Sequence, residues 1–246
     1  MAKSSKHKVA IVTGGTRGIG LGITKELLKR GYKVVVCCRH QKELDAGMKA
    51  VKSRNVHGVL CDVGHEVHWE NLVKEVMKKW KRIDVLVNNA GILIQKPLME
   101  TSWEEMEQVL HVNLLGAFLG MKACVPKMKK GARIVNVASV AGLKGFPQLA
   151  AYCSAKFGLI GLTKVAALDF AEKGIRVNVV CPGLIDTPMT KDIMGNKAAR
   201  EGFLAQIPQG RAGKPEEIGA MVGFLADKES GYCTGGVYVV DGGMTV

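Results

Sequence analysis

Proline, aromatic residues and acid are all scarce in this 246-residue chain, and each shortage excludes something. With only seven prolines, and no repeat or low-complexity run, there is no linker to split the sequence, so one domain over residues 1–246 is expected. Aromatics make up 5% of residues against 47% hydrophobic, which predicts a core built from Val, Ile, Leu and Ala. No apolar stretch approaches a membrane span. The run that follows the basic start, Val9 to Val12, is too short for a signal-peptide core, so a cytoplasmic protein is expected. Seven cysteines (37, 38, 61, 124, 153, 181 and 233) include no Cys-x-x-Cys spacing and are odd in number; they read as free thiols in a reducing compartment. His65-Glu66-Val67-His68 has no third ligand at suitable spacing, and no metal site is expected.

Acid is short by a wide margin: 22 Asp and Glu face 35 Lys and Arg, a net charge of +13. The basic residues recur at helical spacing, as in Lys25, Lys29 and Arg30 or Lys74, Lys78 and Lys81. They read as solvated helix faces that raise the local concentration of an acidic partner. No aromatic-interleaved basic strand accompanies them, which argues against nucleic acid.

What the chain does have is alternation. Short β-branched runs at Lys8–Thr13, Lys33–Cys38, Val56–Cys61, Ile83–Val87, Ala132–Ala138, Ile175–Cys181 and Val237–Asp241 are separated by longer helical patterns. Continuous runs such as Val34-Val35-Val36 suit strands covered on both faces. The expectation is an α/β Rossmann fold, a doubly wound parallel sheet of about seven strands with helices on both faces. Residues 183–210 break the pattern with Pro188, Gly195, Gly202 and Pro208 among intermittent apolar residues. A long loop in a compact domain is usually functional, and this one reads as a lid.

Two local patterns carry chemistry. Thr13-Gly14-x-x-x-Gly18-x-Gly20 lies between a strand and a helix, where glycines allow a tight turn and helix amides can face a pyrophosphate. Tyr152 and Lys156 stand one helical turn apart, thirteen residues after Ser139. A cation beside a phenol favours the phenolate, so Lys156 is expected to lower the pKa of Tyr152 toward a usable proton donor. The three other tyrosines have no basic residue four places on.

Together with Asn88-Asn89-Ala90-Gly91, Asn113 and Pro182-Gly183, in that order along nearly the whole chain, these residues resemble the short-chain dehydrogenase/reductase family. The resemblance implies a nicotinamide cofactor held by Gly14, Thr16, Arg17, Gly18, Ile19, Gly20, Cys38, Arg39, Asp62, Val63, Asn89, Ala90, Gly91, Tyr152, Lys156, Pro182, Gly183, Ile185 and Thr187. Enzymes using NAD place an acid at the end of the second strand, where this chain has Cys38 followed by Arg39, with Arg17 in the glycine loop. Two guanidiniums suit a 2′-phosphate, so NADP(H) is expected. Hydride arriving on a carbonyl carbon leaves charge on oxygen, which Tyr152 can protonate and Ser139 can hydrogen-bond. By resemblance, Lys156 also binds the nicotinamide ribose. The resemblance likewise implies that Asn113, expected mid-helix, holds a water that links the lysine to solvent.

Ala141, Leu149, Met189 and Met194, with Ser139 and Tyr152, are expected to line an apolar substrate site. The segments Leu204–Gly213 and Asp241–Met244, the length and the charge look most like 3-oxoacyl-[acyl carrier protein] reductases. Those reductases often carry Gln three residues before the tyrosine, where this chain has Leu149 and places Gln148 one step earlier. A broad-specificity ketone or hydroxysteroid dehydrogenase is the alternative. A catalytically silent NADP(H) sensor is a third, against which stand the intact Ser139, Tyr152 and Lys156. Family resemblance also implies a homotetramer. Lys129, Lys130 and Lys173 are candidates for docking an acidic acyl carrier protein.

Overall fold

The computed structural model describes residues 7–246; the basic start at residues 1–6 lies outside the described part. Seven strands, β1 (Val9–Thr13), β2 (Lys33–Cys38), β3 (Val56–Leu60), β4 (Ile83–Asn88), β5 (Met128–Val137), β6 (Arg176–Pro182) and β7 (Val237–Val240), form one parallel sheet in the order β3-β2-β1-β4-β5-β6-β7. Between them run α1 (Gly18–Lys29), α2 (Gln41–Val51), α3 (Glu66–Trp80), α4 (Trp103–Leu110), α5 (Gly116–Cys124), α6 (Ala150–Asp169), α7 (Lys191–Gly195), α8 (Lys197–Leu204) and α9 (Pro215–Ala226).

Alternate residues of one strand feed opposite faces, which is why the strands read as unbroken apolar runs. Val9, Ile11 and Val35 pack with Trp69 and Leu72 of α3 and Met121 of α5. Ala10, Val12 and Val34 pack with Ile23 and Leu27 of α1 and Ile218 and Val222 of α9. Strand order reverses between β1 and β4, so the loops after these two strands diverge to opposite faces and leave a crevice at the carboxyl edge.

Three expectations need correction. β5 starts at Met128, four residues before Ala132, because Met128 pairs with Ile83 while Arg133 pairs with Val85, and the register shift absorbs the exposed Lys129-Lys130-Gly131. The helical run Trp103–Lys127 is long and apolar enough by composition to cross a membrane, contrary to the expectation that no stretch approaches a span. Half of its most apolar window is buried, against α3 and α6, which is the setting of a core helix. The lid is not a plain loop, since it contains α7 and α8. Their Ile193, Met194, Phe203 and Leu204 pack on buried Val140, Leu184, Ile207 and Met244.

Candidate active site

The crevice is a cleft of about 550 Å³. Its floor is tied together at the ends of β1 and β4. Thr13 Oγ1 accepts from the backbone N–H groups of Asn89 and Ala90, both at 2.9 Å, and Asn89 Nδ2 donates to Thr13 O at 2.8 Å. Gly14 and Gly18 adopt left-handed φ of 62° and 51°, and a Cβ on Gly20 would stand 2.0 Å from Gly14 O. The turn therefore closes only with glycine, and it aims the start of α1 into the cleft. Arg17 at the N-cap supplies no capping bond and the first turn holds no acid, so the amides there are left for an anion.

Of the expected cofactor residues, Gly14, Thr16, Arg17, Gly18, Ile19, Gly20, Cys38, Arg39, Val63, Asn89, Ala90, Gly91, Tyr152, Lys156 and Thr187 line this cleft. The Asn89 side chain is spent on the glycine-loop backbone. Four expected residues are not among the lining. Asp62 turns its carboxylate back onto Gly64 N at 3.0 Å. Pro182 ends β6 and Gly183 donates its N–H to Val240 O at 3.0 Å. Ile185 is buried and borders a separate cavity of about 370 Å³ with Arg211, Gly213 and Glu217. Thr187 lies against the glycine loop, with its Cβ 3.4 Å from where a Gly18 Cβ would be.

Sequence reasoning missed Glu43, Gln95, Asp192 and Ile193, all of which line the cleft. Glu43 is the most consequential, because no carboxylate was expected near the ribose end. It sits in the first turn of α2 and pairs with Arg17 at 3.4 Å. The signal was Gly47 one turn later: a Cβ there would stand 2.5 Å from Thr16 Cβ, so α2 lies directly on the glycine loop.

At the other end of the cleft α6 carries Tyr152 and Lys156. Lys156 is 4% exposed, its Nζ donates to Val137 O at 2.9 Å, and it lies 5.5 Å from the Tyr152 ring centroid. Burial lowers its pKa to about 8. Burial also pushes the Tyr152 hydroxyl up to about 12, with the Ser139 hydroxyl alongside pulling it back. The expected downward pull of Lys156 is not what sets this tyrosine. Taking a phenolate out of water costs more than the neighbouring groups return. Ser139 Oγ accepts from Ala141 N at 3.1 Å in a tight turn at the end of β5.

Asn113 does not occupy an ordinary mid-helix position. It lies in a π-helical turn, His111–Leu115, and is 2% exposed. Its Oδ1 accepts from Ile92 N at 2.8 Å and its Nδ2 donates to Ile92 O at 2.9 Å, which fixes the chain just after Gly91. A Cβ on Gly91 would stand 3.2 Å from Asn113 Oδ1 and 3.7 Å from Lys156 Nζ, so the three groups meet. Wide turns of this kind are frequent at functional sites.

The apolar wall is corrected in part. Met189 lines the cleft and is half exposed. Ala141 is buried beneath the turn, Leu149 precedes α6 in a bridge with Lys96, and Met194 packs into the lid's own cluster. Ile193 takes the place expected for Met194. Among the described residues no group of three metal-ligating side chains comes together.

Comparison with known proteins places this geometry. A family profile described as enoyl-(acyl carrier protein) reductase matches residues 14–245. L-2,3-butanediol dehydrogenase of Corynebacterium glutamicum is 38% identical over 96% of this chain and 98% of its own length. The 3-oxoacyl-[acyl-carrier-protein] reductase FabG of Thermotoga maritima is 39% identical over 97% and 98%. The NADP-dependent (R)-specific alcohol dehydrogenase of Lentilactobacillus kefiri is 40% identical over 100% and 99%. The chain belongs to the short-chain dehydrogenase/reductase family and is an oxidoreductase that acts on alcohols or ketones with a nicotinamide cofactor. Its residues fit that cofactor: the glycine cradle and uncapped α1 suit a pyrophosphate, and buried Lys156 stands at the opposite end of the cleft.

Proposed function

We propose that this family member is an NADPH-dependent ketone reductase whose substrates are 3-oxoacyl thioesters of an acyl carrier protein. The observation that carries the chemistry is Lys156, held nearly dry beside Tyr152 at the end of the cleft away from the glycine loop. When bound, the nicotinamide supplies the hydride. Tyr152 then gives its proton to the developing alkoxide, and a raised pKa makes its hydroxyl a strong holder of that proton until charge appears on the substrate. Ser139, whose oxygen accepts the Ala141 N–H and whose hydroxyl lies beside that of Tyr152, can turn its hydrogen to the same substrate oxygen. Lys156 and Asn113 fix the surroundings through Val137 and Ile92.

The preference for NADPH rests on Arg17 and Arg39 at the cleft wall beside Cys38. A homotetramer is supported by apolar side chains presented to solvent on α5 and α6, namely Phe118, Phe157, Val165 and Leu168. Seven free cysteines suit a cytoplasmic setting. Lys129, Lys130 and Lys173 flank the starts of β5 and β6, at the edge away from the cleft, so a carrier protein bound there would serve the cleft of a neighbouring subunit.

A second reading, a dehydrogenase of free secondary alcohols and ketones, is favoured by the half-exposed Met189 in the cleft and by the similarity to a butanediol dehydrogenase and an alcohol dehydrogenase. Following NADPH and NADH consumption with acetoacetyl thioesters and with a panel of cyclic and linear ketones separates the two. Turnover of thioesters alone supports the first, and turnover of free ketones alone overturns it.

A further inference from the structure

The ribose end of the cleft carries three charges, not the two that the sequence suggested. Arg17 and Arg39 line the wall, and Glu43 lines it with them. The Glu43 carboxylate is 3.4 Å from the Arg17 guanidinium, with about a third of its side chain exposed. Its position is not accidental, since Gly47 one turn later presses α2 onto Thr16. The field of Glu43 also reaches the Cys38 thiol, at the end of β2 where an acid for a ribose hydroxyl would stand.

We propose that Glu43 sets the cofactor selectivity of this site by opposing a 2′-phosphate and tolerating a free 2′-hydroxyl; the proposal rests on the NADPH reading above. A 2′-phosphate carries nearly two negative charges at neutral pH. To bind, it must draw Arg17 away from Glu43 and tolerate a carboxylate nearby. A free 2′-hydroxyl meets neither cost, and it can donate to Glu43. The ion pair therefore holds Arg17 back from the phosphate and narrows the gap between the two cofactors, leaving Arg39 as the guanidinium without a carboxylate partner among the described residues.

The test uses the adenosine halves of the cofactors, so that it reads binding without turnover. The intact protein and Glu43→Gln are titrated calorimetrically with 2′,5′-ADP and with 5′-AMP, after matched thermal melts establish that both are folded. Glu43→Gln is expected to tighten 2′,5′-ADP by about three- to tenfold and to leave 5′-AMP within about twofold, with the gain shrinking at high salt. An unchanged ratio of the two affinities overturns the proposal. So does a lowered ratio, which would mean that Glu43 presents Arg17 to the phosphate. If the unsubstituted protein binds 5′-AMP as tightly as 2′,5′-ADP, the NADPH reading fails, and the change in ratio on substitution still decides the role of Glu43.

Discussion

Replacing Lys156 by methionine should make the protein more stable at neutral pH and inactive. Lys156 is 4% exposed and its pKa falls from 10.5 to about 8 because burial disfavours the charged form. At about 1.36 kcal/mol per pKa unit, that difference withholds roughly 3 kcal/mol from folding wherever both states carry the proton. The cost is complete below pH 8. Between pH 8 and 10.5 the folded protein releases the proton first, so the unfolded state binds more protons and stability rises with pH. Methionine removes the charge and keeps the chain length, but leaves Val137 O without the donor it has at 2.9 Å, a loss of about 1 kcal/mol. The net expectation is a gain of about 2 kcal/mol at pH 7 that vanishes and turns to a small loss near pH 10.5. Urea denaturation of both proteins at pH 7, 8.5 and 10 measures it, and the difference between them isolates Lys156 from other groups that titrate in this range. A Lys156→Met variant less stable than its parent at pH 7, or a difference that does not move with pH, would refute the argument that burial of this charge is held against stability for the sake of function.

Tyr152→Phe is expected to lower turnover by about 10²- to 10⁴-fold while NADPH affinity, read by fluorescence titration, stays within a few-fold; more than a tenth of the parent rate would remove Tyr152 as the proton donor. Asn113→Leu leaves both Ile92 backbone groups unpaired and should cost about 2–5 kcal/mol in urea denaturation, where a loss under 1 kcal/mol would mean that the π turn holds without it. Reversing Lys129, Lys130 and Lys173 to Glu should raise KM for carrier-linked substrate and spare a small soluble ketone, with the difference fading at high salt; equal effects on both substrates would leave the basic surface as solvation only.

Local rules made much of this protein legible in its sequence. Strands β1, β2 and β4 are short apolar runs bounded by turn residues. The glycine loop declares itself by left-handed and closely approached positions, and Tyr152 and Lys156 fall on one helix face because helix geometry requires it. Other features depend on which distant segments meet. Whether Tyr152 sits above or below its usual pKa depends on how far α6 and its surroundings shut out water, and no four-residue spacing contains that information. Met194 and Ile193 are neighbours in sequence and both pack in the lid's cluster with Val140 and Met244, yet of the two only Ile193 also lines the cleft. Glu43 itself carries no signal in the sequence; only the approach of α2 to Thr16 at Gly47 sets its carboxylate against Arg17. Periodicity and turn chemistry act over a few residues and are written along the chain, whereas desolvation and the meeting of charges act through space and exist only once the sheet has closed its crevice.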